Sequence, residues 1–349
     1  WLFAEMIVNW NAMSYLTAVK DYRGILWAFV AAIGISFGLG YLLIFLLGAP
    51  VLEGFLFAIT VGYGCMMLLE TLLLHRYFPQ SKESPWTFLR WVDRFLPLAF
   101  TGLFTNLGLF AHLVIIWAGP IGIQVKGLFY GAPYHDVPAM LAFLSILITT
   151  VNFVVSVEVN FYPKYRAYYS LFNDGGVVGD IVTAEEEMLA VLSRELYYTA
   201  LKQLFATAAV ISLENTLLEL LPLGFNDLMH GYFRILCVGY GLYAIGNTVM
   251  LILLYFTDYL GAVLASGIFA AAAAVGTVIS LFFDQAFYGF GFLAGAAVFF
   301  LLALLRLDYY TSSLPYRVLG QQPIVAQTKS GRFTKLALFL EKAAERGGI

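Results

Sequence analysis

Charge is scarce in this 349-residue chain: Asp, Glu, Lys and Arg make up 12% of it, about half the share of a soluble domain. A chain so poor in charge and 61% hydrophobic cannot hide its apolar surface in an ordinary core. Mean hydropathy is +0.83, and the solvent implied is lipid. Cysteine is equally sparse. Cys65 and Cys237 both fall in apolar stretches and act there as small apolar residues, so neither a disulfide framework nor a metal site is expected. No G-x-x-x-x-G-K-[ST] loop occurs, which argues against ATP hydrolysis by this chain. No basic cluster accompanies the net charge of −3, so nucleic acid is not an expected partner. A signal peptide is missing too: WLFAEMIVNWNAMSYLTAV has no basic leader and no cleavage site. It reads as a helix under way, and the N-terminus is expected to be incomplete.

What is there is a series of long apolar runs. A bilayer core requires about 20 apolar residues in helical form, and each segment must satisfy its own backbone. Nine runs qualify: Trp1–Val19, Gly24–Leu47, Phe55–Leu74, Phe95–Trp117, Val137–Val157, Leu196–Leu221, Tyr232–Phe256, Leu260–Phe282 and Tyr288–Leu305. The alternating pattern of a membrane β-barrel is absent, so an all-α integral membrane fold is expected. Orientation follows from the basic residues. With the Lys20/Arg23 turn in the cytoplasm, the inner segments hold Lys20, Arg23, Arg76, Lys82, Arg90, Arg94, Lys164, Arg166, Arg194 and seven more after Leu305. The outer side holds Lys126 and Arg234, and its loops are short. The C-terminus is then cytoplasmic.

One short string recurs. KDYRGILWAF (20–29) and TDYLGAVLAS (257–266) share Asp21, Tyr22, Gly24 and Ala28 with Asp258, Tyr259, Gly261 and Ala265. Each copy follows one helix and opens another on the cytoplasmic side, and six crossings separate them. That spacing suits two six-helix halves in the same orientation, a parallel repeat. Gly24 and Gly261 are expected to let the turn bend tightly. The full protein would have twelve helices, three of them preceding Trp1. The domains expected are the remaining helices of an N-terminal bundle (1–74), a cytoplasmic linker (75–94), a six-helix bundle (95–305) and a cytoplasmic tail (306–349). The second bundle is interrupted by a cytoplasmic loop with amphipathic helices (158–195), where Thr183 is read as an N-cap before Glu185–Glu187.

Polar residues within spans tend to face a bundle interior or a watered path. The candidates for a transport path are Glu5, Asn9, Asn106, His112, Asn152, Glu214, Arg234 and Asn247. Glu5 and Asn9 share a helix face, whereas Asn106 and His112 point in different directions. Glu214 is expected to pair with Arg234 on the next helix rather than with Lys202 on its own. Glu219 and Glu70, near helix ends, are expected to reach out to the membrane surface. The tail shows a helical stripe of Phe333, Leu336, Ala337 and Leu340, suited to the inner membrane surface or to a synthase partner.

The strings VKGLFYGAPYHDVPAMLAFLS (125–145), VEVNFYPKYRAYYSLFN (157–173) and LLALLRLDYYTSSLPYRVLGQQP (301–323) carry a resemblance. With the two-bundle pattern, the chain resembles the multidrug/oligosaccharidyl-lipid/polysaccharide exporter superfamily, and within it the Pel exopolysaccharide transporters, from their fourth helix onward. The resemblance implies an inner-membrane transporter in a machine that makes and exports a polysaccharide. It also implies a cytoplasmic glycosyltransferase and a membrane-anchored cyclic-dinucleotide receptor as neighbours. The family's polymer is rich in amino sugars and partly cationic, so an acidic lumen of Glu5, Glu214 and Glu219 would suit it. No cofactor is expected, and no catalytic residue. The alternatives are an ion-coupled multidrug antiporter, a lipid-linked oligosaccharide flippase, and a membrane glycosyltransferase. The last would require carboxylates on a large outer loop, and Glu53, Asp227 and Asp284 are scattered over short ones.

Overall fold

The computed structural model describes residues 1–79, 84, 86–173, 175–219, 223–321 and 331–347. Its helices sort into two compact units, Trp1–Thr87 and Phe88–Ile349. The first holds α1 (Leu2–Ala18), α2 (Tyr22–Tyr41, extended by a π-helical turn over Leu42–Leu46) and α3 (Val51–Tyr77). The second begins with α4 (Phe88–Trp117) and a small hairpin, β1 (Ile123–Lys126) and β2 (Phe129–Gly131). It continues through α5 (Pro133–Phe143), α6 (Leu147–Val154), α7 (Tyr162–Asn173), α8 (Val178–Ser212), α9 (Glu214–Glu219) and α10 (Asp227–Tyr255). It closes with α11 (Tyr259–Ser280), α12 (Phe290–Thr311), α13 (Leu314–Gln321) and α14 (Arg332–Gly347). Apart from that hairpin the described residues form an all-α protein.

Seven described segments are long and apolar enough to cross a membrane: Tyr22–Leu46, Val51–Tyr77, Phe88–Trp117, Pro133–Phe172, Asp227–Tyr255, Tyr259–Ser280 and Gln285–Thr311. Two of the nine expected spans differ. α1 is a helix of 17 residues. The run expected over Leu196–Leu221 is the second half of α8, whose first half carries charge, and it breaks at Leu213 before the short α9.

The expected loop 158–195 is also different. A π-helical stretch, Val155–Phe161, joins α6 to α7 without a break, and α8 runs straight through Glu195. The two arms bend at Gly175, whose φ of 74° suits glycine. They are helical because their aromatic residues have a core to enter. Phe161 and Tyr168 are fully buried beside Met188, Phe256 and Tyr310, so one face of YPKYRAYY packs against protein while Tyr162, Lys164 and Arg166 stay exposed. Thr183 lies inside α8 and donates to Gly179 O at 3.0 Å, so it is not the N-cap. The linker expected at 75–94 is helical at both ends, since α3 runs to Tyr77 and α4 starts at Phe88; residues 80–83 and 85 lie outside the described ones.

The recurrent string folds alike in both places. Lys20 and Thr257 each have φ of 61°. The next amide reaches back over the helix end, Asp21 to Leu16 O at 3.0 Å and Asp258 to Leu253 O at 2.9 Å. This is the Schellman closure of a helix C-terminus. Asp21 and Asp258 then cap the following helices by accepting from the Gly24 and Gly261 amides at 2.9 and 3.2 Å. The glycines are therefore not where the backbone turns left-handed, contrary to the sequence expectation. A Cβ at Gly24 would strike the Asp21 carboxylate and Leu73; one at Gly261 would strike Asp258 and Arg306. Glycine is required for clearance.

The likeness extends along three helices in one register. Leu16, Ala28, Ala32, Ser36, Gly54 and Ala58 are buried in the first unit. The residues 237 positions later, Leu253, Ala265, Phe269, Ala273, Gly291 and Gly295, are buried in the second. Equal spacing through two turns means equal connection lengths, so α1–α3 and α10–α12 are structural counterparts.

Candidate translocation lining

In the second unit, α6 and α8 meet through polar side chains. Thr149 donates to Gln203, whose amide donates to Thr207 Oγ1 at 3.0 Å. One turn on, Asn152 donates to Thr199 Oγ1 at 2.8 Å and Ser156 Oγ at 3.2 Å, and accepts from Lys202 Nζ at 2.5 Å. Such bonds between membrane helices contribute about 0.6 kcal/mol each; the groups are satisfied without being locked. Beside this ladder lies a cavity of about 180 Å³ lined by Phe143, Thr149, Thr150, Tyr243, Asn247 and Thr248, among others. Thr149 belongs to both. The helix bearing these groups is irregular on either side, with a 3₁₀ turn over Leu144–Ile146 and the π-helical stretch after Val154. Irregular turns of this kind recur at functional sites.

Glu214 opens α9 and is 2% exposed. It accepts from Arg234 Nε at 2.8 and 2.7 Å and from Nη2 at 2.5 Å, so the pairing is bidentate. His230, one turn before Arg234, lies 3.0 Å from the same carboxylate. His112 is fully buried against Phe292 and Tyr240, and its ring meets that of His135 edge-on at 5.5 Å. His135 follows the β-hairpin beside Asp136, which accepts from Trp117 Nε1 at 2.9 Å and from the Ala132 amide at 2.8 Å. Asn106 stays apart: it is exposed and bonds its own helix at Gly102 O.

In the first unit, Asn9 is buried and donates to Tyr63 O at 3.1 Å. Glu5 lies against α3 at Gly64. Glu70 does not reach the surface as its place near a helix end suggests; it is fully buried. The side chain of Glu219 lies outside the described residues.

Sequence reasoning thus named Asn152, Asn247, Glu214 and Arg234, missed Thr149, Gln203, His135 and His230, and sent Glu70 to the surface. The i, i+4 spacing of Thr199, Gln203 and Thr207 was a legible polar face on α8. Nothing in local spacing brings His135 to His112, which is a tertiary encounter.

Long apolar helices in series, with their polar groups bonded across helix interfaces, define a multi-pass α-helical membrane protein. Residues 1–319 match the PelG family model, described as "Putative exopolysaccharide Exporter (EPS-E)". The chain belongs to that family, and is accordingly a membrane transporter of exopolysaccharide. No curated protein and no solved structure matched it.

Proposed function

We propose that the cavity beside α6 is part of the path by which a Pel-like exopolysaccharide, or its precursor, crosses the bacterial cytoplasmic membrane. The observation that carries this reading is the chemistry of the wall. An amide (Asn247), hydroxyls (Thr149, Thr150, Thr248) and aromatic rings (Phe143, Tyr243) surround it, and none of the described residues lining it is charged. The hydroxyl groups of a sugar chain are held by such groups weakly and repeatedly, as passage requires, and the carboxylates expected for a partly cationic polymer are not among the described residues of this wall. His112, Glu214 and Arg234 are further polar groups of the same unit that serve this path or its gates, and Glu5 and Asn9 are the polar groups that the first unit offers to transport. The chain works with a cytoplasmic glycosyltransferase and other synthase subunits, moves no substrate by its own catalysis, and keeps its tail in the cytoplasm.

The test uses the full-length protein in its own cells, with Asn247→Leu and Thr149→Val combined. Two lost hydrogen-bonding groups at about 1 kcal/mol each correspond to polymer secretion falling about thirtyfold, at unchanged membrane level. Secretion equal to wild type would remove the cavity from the path. Proteoliposomes separate the competing readings. Cation-drug efflux driven by a proton or sodium gradient would mark an antiporter, and translocation of a lipid-linked sugar alone would mark a flippase.

A further inference from the structure

Glu70 sits in α3 where the counterpart helix has an ordinary core residue. At 237 positions later stands Leu307, 5% exposed. The neighbouring position differs as well: Arg306, which binds Asp258 at 2.5 and 2.8 Å, corresponds to Leu69. In the first unit Asp21 has Tyr77 Oη instead, at 3.0 Å. The first unit therefore lacks the cation and carries a carboxyl group in its apolar core.

Glu70 is fully buried and neither of its oxygens has a hydrogen-bond partner among the described residues. The charged and titratable groups of the elements packed on it lie elsewhere. On α1 there are Glu5 and exposed Tyr15, with Lys20 exposed beyond its end; on α2, exposed Tyr22, Arg23 and Tyr41, with Asp21 at its cap engaged as described. On α3 itself Glu53, His75, Arg76 and Tyr77 are exposed, and Tyr63 and Cys65 are half-buried. None forms an ion pair with Glu70. An ionised carboxylate without counter-charge or donor is not sustained in an apolar interior; the group takes up a proton instead.

We propose that Glu70 is a proton-binding site that couples export to the proton gradient. In the packed arrangement the carboxyl group holds a proton. When the α1–α3 interface opens to water, the O–H bond breaks, the proton passes to water, and the carboxylate left behind is hydrated. Repacking takes a proton back. Beyond Met66, the α2–α3 seam that leads away from Glu70 is lined by small residues, Ala28, Ala32, Ala58 and Gly62, so these helices can separate and close with few large side chains to drag. The coupling rests on the exporter reading above; the proton site does not.

The experiment treats membrane vesicles containing the full-length protein with dicyclohexylcarbodiimide. A protonated carboxyl adds across its C=N bond, giving a stable acylurea, while hydrated or ion-paired carboxylates are spared. Peptide mass spectrometry is expected to find the adduct at Glu70, declining as the pH is raised, and to find Glu214, held by Arg234, unlabelled. In cells, Glu70→Gln and Glu70→Leu are expected at normal membrane level with export lost, and Glu70→Asp with export partly kept. Leu is the counterpart's own residue, so that variant keeps the fold. An unlabelled Glu70 at low pH would overturn the proton site. A labelled Glu70 with normal export in Glu70→Gln would overturn the coupling. Wild-type cells that secrete no polymer would instead refute the exporter reading, with the labelling still deciding the proton site.

Discussion

At the scale of single residues, the two capping aspartates do unequal work. Asp21 caps α2 and receives one tyrosine hydroxyl. Asp258 caps α11 and also receives two guanidinium donors from Arg306, with its side chain 6% exposed. A lost cap costs about 1 kcal/mol. Removing one partner of a buried ion pair costs more, because the other charge stays behind. Asp21→Ala is therefore expected to lower stability by about 1 kcal/mol, and Asp258→Ala by about twice that or more. Asp258→Asn should fall between them, since its amide oxygen still caps. Thermal unfolding of the purified protein in detergent reads the order, and equal losses for the two alanine variants would show that Arg306 adds nothing.

At the scale of elements, small residues set how closely helices meet. Gly291 of α12 lies against the backbone of α11 at Gly276 and Thr277, so an added methyl group there strikes main chain. Its counterpart Gly54 meets only side chains, the nearest being Ile44 at 3.2 Å. Overpacking against an unyielding neighbour costs about 1–3 kcal/mol, so Gly291→Ala should cut stability by that amount and Gly54→Ala by little. Membrane yield and unfolding temperature check the pair. The same contrast marks how far the sequence could be read. The DYxG turns, the α1–α3 likeness to α10–α12, the membrane class and the Glu214–Arg234 pairing all follow from spacing and composition. The continuous α6–α7 rod and the burial of Tyr168 do not, because an aromatic and basic helix looks alike whether it meets lipid headgroups or the flank of α8. Glu70 was misread for a related reason. Its distance from the helix end suggested an exit to water, and only the packing of α1 and α2 on α3 closes that exit. The cavity beside α6 was half legible: Asn247 stands out as an amide in an apolar run, whereas Thr149 and Thr150 pass for ordinary membrane threonines until α8 and α10 are in place.

At the scale of the whole molecule, sidedness joins the charge pattern to the fold. α14 is tied to the first turns of α4: Asp93 accepts from the Thr334 amide at 2.6 Å and its hydroxyl at 2.7 Å, and Arg90 pairs with Glu341 at 2.8 Å. Ala337 is fully buried in that contact while Leu336 and Phe339 stay exposed. The tail helix is thus fastened to protein, whichever further surface its apolar residues meet. It also shares a side of the membrane with the start of α4. The β-hairpin follows the other end of α4, 30 residues away, about 45 Å along a helix, and so on the opposite side. The basic residues give the sidedness to be tested: by their distribution, the α14 end is expected in the cytoplasm. After replacement of Cys65 and Cys237, Lys126→Cys in the hairpin is expected to react with a membrane-impermeant maleimide added to intact spheroplasts. Lys335→Cys in α14 is expected to react only once the membrane is opened. Labelling of both from outside would mean that α4 does not cross the bilayer. Labelling in the reverse order would invert the protein and place the tail helix, with its exposed apolar face, beyond the reach of any cytoplasmic synthase.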